Sequence, residues 1–377
     1  MNENTGIRKE MVKKVRRMVL KVGSSTLTGS DGRLSRVAVE RIVSQIAVAT
    51  RQGIDVVMVT SGAIAAGLGE LGIGKRPQDM ARLQAAAAVG QCVLMQEYVQ
   101  AFKKEGLLCA QLLLTNEDLK NRARYLNIRN TLFSLLSQRV IPVINENDTV
   151  STQEIQFGDN DRLSALVTQL LGANVLVLLS DVEGLLALDK SGARSRVSVV
   201  ESVDAKVEAY AWDSKSKHGK GGMKSKLQAA RMVTRSGEAT ILANGNTERV
   251  LEKILSGENI GTLFLPKSGK MAGRKRWIAY FVVPQGRVIV DAGAKTALMD
   301  GKKSLLASGI RSVSGDFHAG DTISVCGEDG EEFARGIVAY GCGDLAKIAG
   351  KKTNQIYQIL QHKMPDEVIH RDNLVVL

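Results

Sequence analysis

Along the first 265 residues, short apolar runs alternate with longer segments of helical periodicity. Strand-like runs occur at "RRMVLKV" (16–22), "DVVMVTS" (55–61), "LCAQLLLT" (108–115), "VIPVIN" (140–145), "VLVLLSD" (175–181) and "ATILANG" (239–245). Several are apolar at every position rather than at alternate ones, the signature of strands covered on both faces. Helical patterns lie between them at 36–51, 79–104, 161–171 and 223–236. A strand followed by a helix, repeated, predicts right-handed crossovers and an α/β fold with a doubly wound, mostly parallel sheet. After Gly261-Thr262 the alternation stops. From Gly286 onward the pattern becomes short strands separated by glycine turns, as in "GRVIVDAGA" and "DTISVCGEDGEEFARGIVAY", which predicts a small β-rich domain. The expected organisation is an N-terminal tail (1–15), an α/β domain (16–265), a linker (266–285) and a β domain with a C-terminal tail (286–377).

In such sheets ligands bind beyond the carboxyl ends of the strands. Those ends are patterned here. The first strand runs into Lys21-Val22-Gly23-Ser24-Ser25, the second ends in Thr60-Ser61-Gly62, the fourth opens "NEND" (145–148), and the fifth ends in Ser180-Asp181. Small residues after a strand leave backbone N–H groups unpaired, and a helix N-terminus adds positive partial charge, so phosphate is favoured there. Gly23-Ser24-Ser25, Ser61-Gly62 and Gly221-Gly222 all fit, although no Walker-type P-loop is present. Lys21 lies among apolar neighbours, and a buried ammonium needs an anion. Lys226 follows the Gly-Gly turn in the first turn of a helix. Two lysines on one phosphoryl group would neutralise charge on the transferring oxygens. The knots "NEND" and "GDND" (158–161) can hold a metal, orient lysines or grip a zwitterionic amino acid; alternatively they are Asx turns and a helix cap, with Asp161 as the cap.

Composition narrows the class. The 377 residues are 44% hydrophobic and 4% aromatic, with no apolar run near the length that spans a bilayer. Cys92, Cys109, Cys326 and Cys342 show no metal or disulfide spacing. With no targeting segment at the start, a soluble cytoplasmic protein is expected. The net charge of +12 is unevenly placed. Residues 1–17 carry six Lys or Arg against two Glu, and 266–276 carry five with no acid, whereas 286–377 hold eleven basic against twelve acidic residues. The first two runs read as solvated faces. A near-neutral C-terminal domain argues against nucleic acid as the partner, since such binding rests on clustered cations.

The ordered motifs "VLKVGSSTLT", "VVMVTSGAIAAG", "VIPVINENDTV", "FGDNDRLSALV", "LLSDVEGL" and "GKGGMKSKLQAA", with "GTLF" and "RKRWI" after them, resemble the glutamate 5-kinase group of the amino-acid kinase family, and the C-terminal part resembles a PUA domain, a small β barrel. The resemblance implies ATP-dependent phosphorylation of the γ-carboxylate of L-glutamate, the first step of proline synthesis, with proline as feedback inhibitor. It implies Lys21 and Lys226 on the transferring phosphoryl, with Asp161 holding them. Ser61, Asp148 and Asn160 would contact glutamate, supported by Asn145 and Asp159. Gly23, Ser180, Asp181 and the run Lys220, Gly221, Gly222, Met223, Lys224, Ser225 and Lys226 would line the ATP site. Mg²⁺ would be carried by the nucleotide, and the assembly would be a homodimer or homotetramer. The family has Thr at the position of Lys220, a small hydroxyl residue at that of Lys224, and often Thr at that of Ser180. Two other readings remain open: a related kinase acting on another acid, or an RNA-binding protein acting through the β domain.

Overall fold

The computed structural model describes residues 3–29, 31–150, 160–188, 194–210, 222–267, 271–300, 303–361 and 365–377. The chain divides into two compact units, Met1–Lys270 and Met271–Leu377.

The first unit is built on ten strands: β1 (Arg17–Val22), β2 (Asp55–Val59), β3 (Leu108–Leu114), β4 (Val140–Glu146), β5 (Val175–Ser180), β6 (Leu186–Leu188), β7 (Arg194–Arg196), β8 (Val199–Val200), β9 (Ala239–Asn244) and β10 (Thr262–Phe264). Eight of them form one sheet in the order β3-β4-β2-β1-β5-β9-β10-β8, and β6 and β7 pair separately. Within the eight-stranded sheet the pairings are parallel except between β9 and β10, and β6 pairs with β7 antiparallel. The six strands expected from the apolar runs are all present, within two residues at each end.

Strand order grows from β1 to one side through β2 and to the other through β5, so β1 lies where the winding reverses. Crevices open beyond the carboxyl ends of strands at such a reversal. Lys21 sits there, in register with Val59 of β2 and Leu178 of β5. Met18, Leu20 and Val22 pack with Val56, Met58, Val177 and Leu179 against Val39, Ile42 and Ile46 of the Arg36–Arg51 helix. Alternation along the strand turns Lys21 to the other face. There lies the Asn160–Leu171 helix, buried along nearly its whole length. Some of its buried polar side chains find partners: Thr168 Oγ1 donates to Ser164 O, and Gln169 Nε2 donates to Met232 O and Ser236 Oγ.

Two basic runs differ from their expected solvated state. Residues Glu3–Val12 form a helix whose Arg8 is only 1% exposed and donates to Ile260 O, Ser198 O and Gly261 O. Residues Gly273–Tyr280, within the expected linker, form a helix that buries Ile278 and Ala279 with Val375. In both, a charge count conceals the residues that pack. The helices Ala63–Glu70 and Arg122–Ser137 also went unforeseen, the first because it is mostly Ala and Gly.

The second unit holds β11 (Gly286–Val290), β12 (Leu305–Leu306), β13 (Ile310–Gly315), β14 (Thr322–Cys326), β15 (Glu332–Ile337), β16 (Glu367–Ile369) and β17 (Leu374–Val376). Five form a sheet in the order β13-β11-β14-β15-β17, and β12 pairs with β16. Val288, Val290, Ile323, Val325, Phe317 and Tyr340 belong to its own core. No described helix of either unit is long and apolar enough to cross a membrane.

Candidate active site

Three elements deliver three charges to one point. Lys21 comes from β1, Asp161 from the first turn of the Asn160–Leu171 helix, and Lys226 from the first turn of the Met223–Arg235 helix. Lys21 Nζ lies 2.8 Å from Asp161 Oδ1, and Lys226 Nζ lies 3.2 Å from Asp161 Oδ2. Both lysines are 6% exposed and the aspartate 1%. Ser225 Oγ also donates to Asp161 Oδ2, at 2.7 Å. Burial raises the carboxyl pKa, but the two ammonium groups and Ser225 outweigh it and hold Asp161 down at about 2. For Lys226, burial is the largest influence and lowers its pKa, Asp161 opposes that, and the Lys21 charge adds to the lowering. Two cations thus share a single carboxylate. The cluster has a surplus positive charge in a poorly solvated place, which an incoming anion would relieve. Because its carboxylate is occupied by these groups, Asp161 does not act as the simple helix cap that its position allowed.

Glycines stand near both lysines in the chain, at Gly23 after β1 and at Gly222 before the helix that carries Lys226. Gly23 donates its N–H to Leu179 O, and a Cβ built on it would stand 3.3 Å from Leu179 O and 3.7 Å from Lys21 Nζ. Gly222 precedes the Met223–Arg235 helix with no side chain capping it, and a Cβ there would meet nothing within 4 Å. Met223 is buried and Lys224 exposed. Ser180, buried at the end of β5, donates to Asp181 Oδ1 at 2.9 Å. Asp181 itself is exposed, and its charge favours protonated Lys226.

A second group lies beyond β2 and β4. Asn160 Nδ2 donates to Thr60 O (2.9 Å), Ser61 Oγ (3.0 Å) and Asn145 Oδ1 (3.1 Å). Asn145 Nδ2 donates in turn to Gln91 Oε1 at 2.9 Å. Asp148 is half-buried just after β4. Asn160 and Asp161 are consecutive, so one helix N-terminus joins the amide group to the lysine group. Asp159, Lys220 and Gly221 lie outside the described residues.

Sequence reading missed Gln91, which sits in the middle of the Met80–Lys104 helix. Its only signal is an amide at the end of the small-residue run "AAAAVGQ". Small residues there permit a close helix crossing: a Cβ on Gly90 would lie 1.8 Å from Ala63 O, and one on Gly67 would lie 1.8 Å from Ala86 O. Ser225, expected to line the ATP site, hydrogen-bonds Asp161 through its hydroxyl. Thr60 Oγ1 shares a buried 2.7 Å hydrogen bond with Tyr98 Oη, which fixes the turn at the end of β2.

The amino acid kinase family pattern matches residues 16–244 and the PUA domain pattern matches residues 286–360. A glutamate 5-kinase of Pelobacter propionicus is 45% identical over 98% of this chain and 100% of its own length. One from Geobacter metallireducens is 47% identical with the same coverages, 98% and 100%. Among solved structures, carbamate kinase from Giardia lamblia bound to AMP-PNP aligns with a TM-score of 0.49 at 18% identity, over 67% of this chain and 99% of that one. Near-complete overlap with these relatives, together with both domain patterns, makes the chain a member of the amino acid kinase family, in its glutamate 5-kinase group with a C-terminal PUA domain.

Proposed function

We propose that the chain transfers the γ-phosphoryl group of ATP to the γ-carboxylate of L-glutamate, giving L-glutamyl 5-phosphate and ADP. The observation that carries this reading is the single carboxylate of Asp161 held between Lys21 and Lys226. A glutamate carboxylate is already nucleophilic, so no general base is required. The obstacle is repulsion between two anions, and fixed cations in a water-poor site remove it. Asp161 sits between the two ammonium groups and prevents them from driving each other apart. Lys21 and Lys226 would then sit on oxygens of the transferring group, with the N–H groups beside Gly23 and Gly222 on neighbouring phosphates.

Ser61, Asn160 and Asp148 would bind the amino acid, with Asn145 behind them. Among the described residues no cluster of three or more His, Cys, Asp or Glu side chains could hold a metal. In this reading Mg²⁺ would be carried by the nucleotide and, when bound, would add charge neutralisation. Asp159, Lys220 and Gly221 would complete the two substrate sites. The product is an acyl phosphate, as the opening step of proline synthesis requires, and proline would inhibit by occupying the amino-acid site or its edge. Assembly as a homodimer or homotetramer through the kinase domain, in the cytoplasm, belongs to the same reading.

Trapping the product as a hydroxamate tests the reading directly. ATP-dependent hydroxamate should form with L-glutamate, fall when proline is added, and be far weaker with aspartate or N-acetylglutamate. No hydroxamate with free glutamate would reject it.

A further inference from the structure

A line of three side-chain amides runs from the Met80–Lys104 helix to the end of β2, and main-chain groups dictate its direction. Thr60 O can only accept, so Asn160 turns Nδ2 toward it at 2.9 Å. The Glu146 N–H can only donate, so Asn145 turns Oδ1 toward it, also at 2.9 Å. These two independent constraints agree with the bond between them, Asn160 Nδ2 to Asn145 Oδ1 at 3.1 Å. Asn145 is then obliged to present Nδ2 on its other side, where Gln91 Oε1 accepts it at 2.9 Å. Gln91 is the last acceptor in the line, and it is buried.

At the opposite end, Asn160 Nδ2 also reaches Ser61 Oγ at 3.0 Å. Nδ2 has two hydrogens for three acceptors, so one is shared with Ser61 Oγ; an amide nitrogen only donates, so the serine oxygen accepts and its own hydrogen is left for another acceptor. Ser61 is half-buried, unlike the three amides behind it. The line therefore ends in a hydroxyl donor that a ligand can reach.

We infer that Gln91 is a positioning residue for the acidic substrate: it holds the amide line in the direction that leaves the Ser61 hydroxyl to donate to a substrate carboxylate oxygen. Without the Gln91 acceptor, Asn145 Nδ2 is buried with nothing to receive it. Turning the Asn145 amide over does not help, because that sets two donors, Nδ2 and the Glu146 N–H, against each other. The strain passes to Asn160, and from there to Ser61. Lys21, Asp161 and Lys226 are outside the line, so nucleotide binding should not follow.

The inference rests on the glutamate reading, and steady-state kinetics of the full chain separate the two. Gln91→Met, similar in shape but without the acceptor, should raise KM for glutamate about tenfold and leave KM for ATP unchanged. Gln91→Glu keeps an oxygen facing Asn145 and should stay within about threefold of the unmodified chain. In a Ser61→Ala background, Gln91→Met should add little, because the donor it positions is gone. Additive effects of the two substitutions, equal damage from Met and Glu, or a parallel rise in KM for ATP would each overturn the inference. If Gln91→Met does not fold, Gln91→Ala takes its place with the same readings. No turnover of glutamate by the unmodified chain would instead overturn the proposed function, and this inference with it.

Discussion

The carboxylate of Asp161 is the one group shared by both lysines, and its loss should be felt in turnover before binding. Asp161→Asn leaves two buried ammonium groups facing each other with a neutral amide between them. One or both would lose a proton or swing outward, and the transferring oxygens would lose their fixed charge. We expect kcat to fall by roughly 100-fold or more, the scale on which electrostatic stabilisers act. The dissociation constant of an ATP analogue should change far less, as titration calorimetry can show. A residue serving only as a helix cap would have cost about 1 kcal/mol of stability and left turnover intact.

The same residue should mark the protein's response to acid. Its folded pKa, about 2, is below the ordinary aspartate value of 3.8. A depressed carboxyl pKa means that the unfolded chain takes up the proton first. The stabilisation is complete above about pH 4 and is lost as pH falls toward about 2, with the folded and unfolded values setting the window. Unfolding midpoints of the unmodified chain should drop more steeply across that interval than those of Asp161→Asn. Parallel curves would show that the pair does not contribute in this way.

Among elements, the crossing of the Ala63–Glu70 and Met80–Lys104 helices is the most demanding contact near the site. Backbones approach so closely that a Cβ on Gly90 would overlap Ala63 O at 1.8 Å. Gly90→Ala should therefore force the helices apart and cost about 1–3 kcal/mol, the usual range for overpacking. Because Gln91 is the next residue, KM for glutamate should rise with it. Gly222→Ala offers the contrast, since its backbone (φ −63, ψ 173) suits any residue and a Cβ there meets nothing within 4 Å among the described residues. Its melting temperature should stay unchanged even if nucleotide binding weakens. The N-terminal helix makes a comparable case through Arg8, whose guanidinium serves three carbonyl oxygens. Arg8→Met should destabilise the first unit by about 1–3 kcal/mol, because Ile260 O loses its side-chain donor and Ser198 O and Gly261 O keep only Leu263 N–H and Arg196.

For the whole molecule, the two units have separate hydrophobic cores, one around β1 and β5 and one around β11 and β14. Units with separate cores can melt separately. Calorimetry should resolve two transitions, and only that of Met1–Lys270 should move upward with glutamate and a non-hydrolysable ATP analogue. A shift of both together would mean that the units unfold as one. The charge is divided in the same way. The basic surplus belongs to the first unit and to 266–276, while 286–377 are near neutral. Little salt-sensitive binding of the full chain to RNA through its C-terminal part is expected.

What could be read without coordinates was set by short-range chemistry. Uniformly apolar runs such as "VLVLLS" can only be strands covered on both sides, so the parallel sheet followed from them. Lys21 stood out because an ammonium among apolar neighbours needs a partner, and Asp161 and Lys226 stood out through the motifs around them. Glycine at 23 and 222 could be read as room for an anion. Residues far apart in the chain had no such signal. Nothing near Gln91 says that it meets Asn145, 54 positions away, because that meeting depends on how closely two helices cross. Nothing near Ser225 says that its hydroxyl meets Asp161, 64 positions away, because the Asn160–Leu171 helix has to be set beside it. Arg8 looked like part of a solvated tail, since a charge count does not reveal three carbonyl oxygens contributed by residues near 198 and 260. Local pattern determined the elements and the presence of an anion site. Tertiary packing alone decided which side chains share a hydrogen bond, because such bonds extend only about 3 Å and join atoms that the chain itself keeps apart.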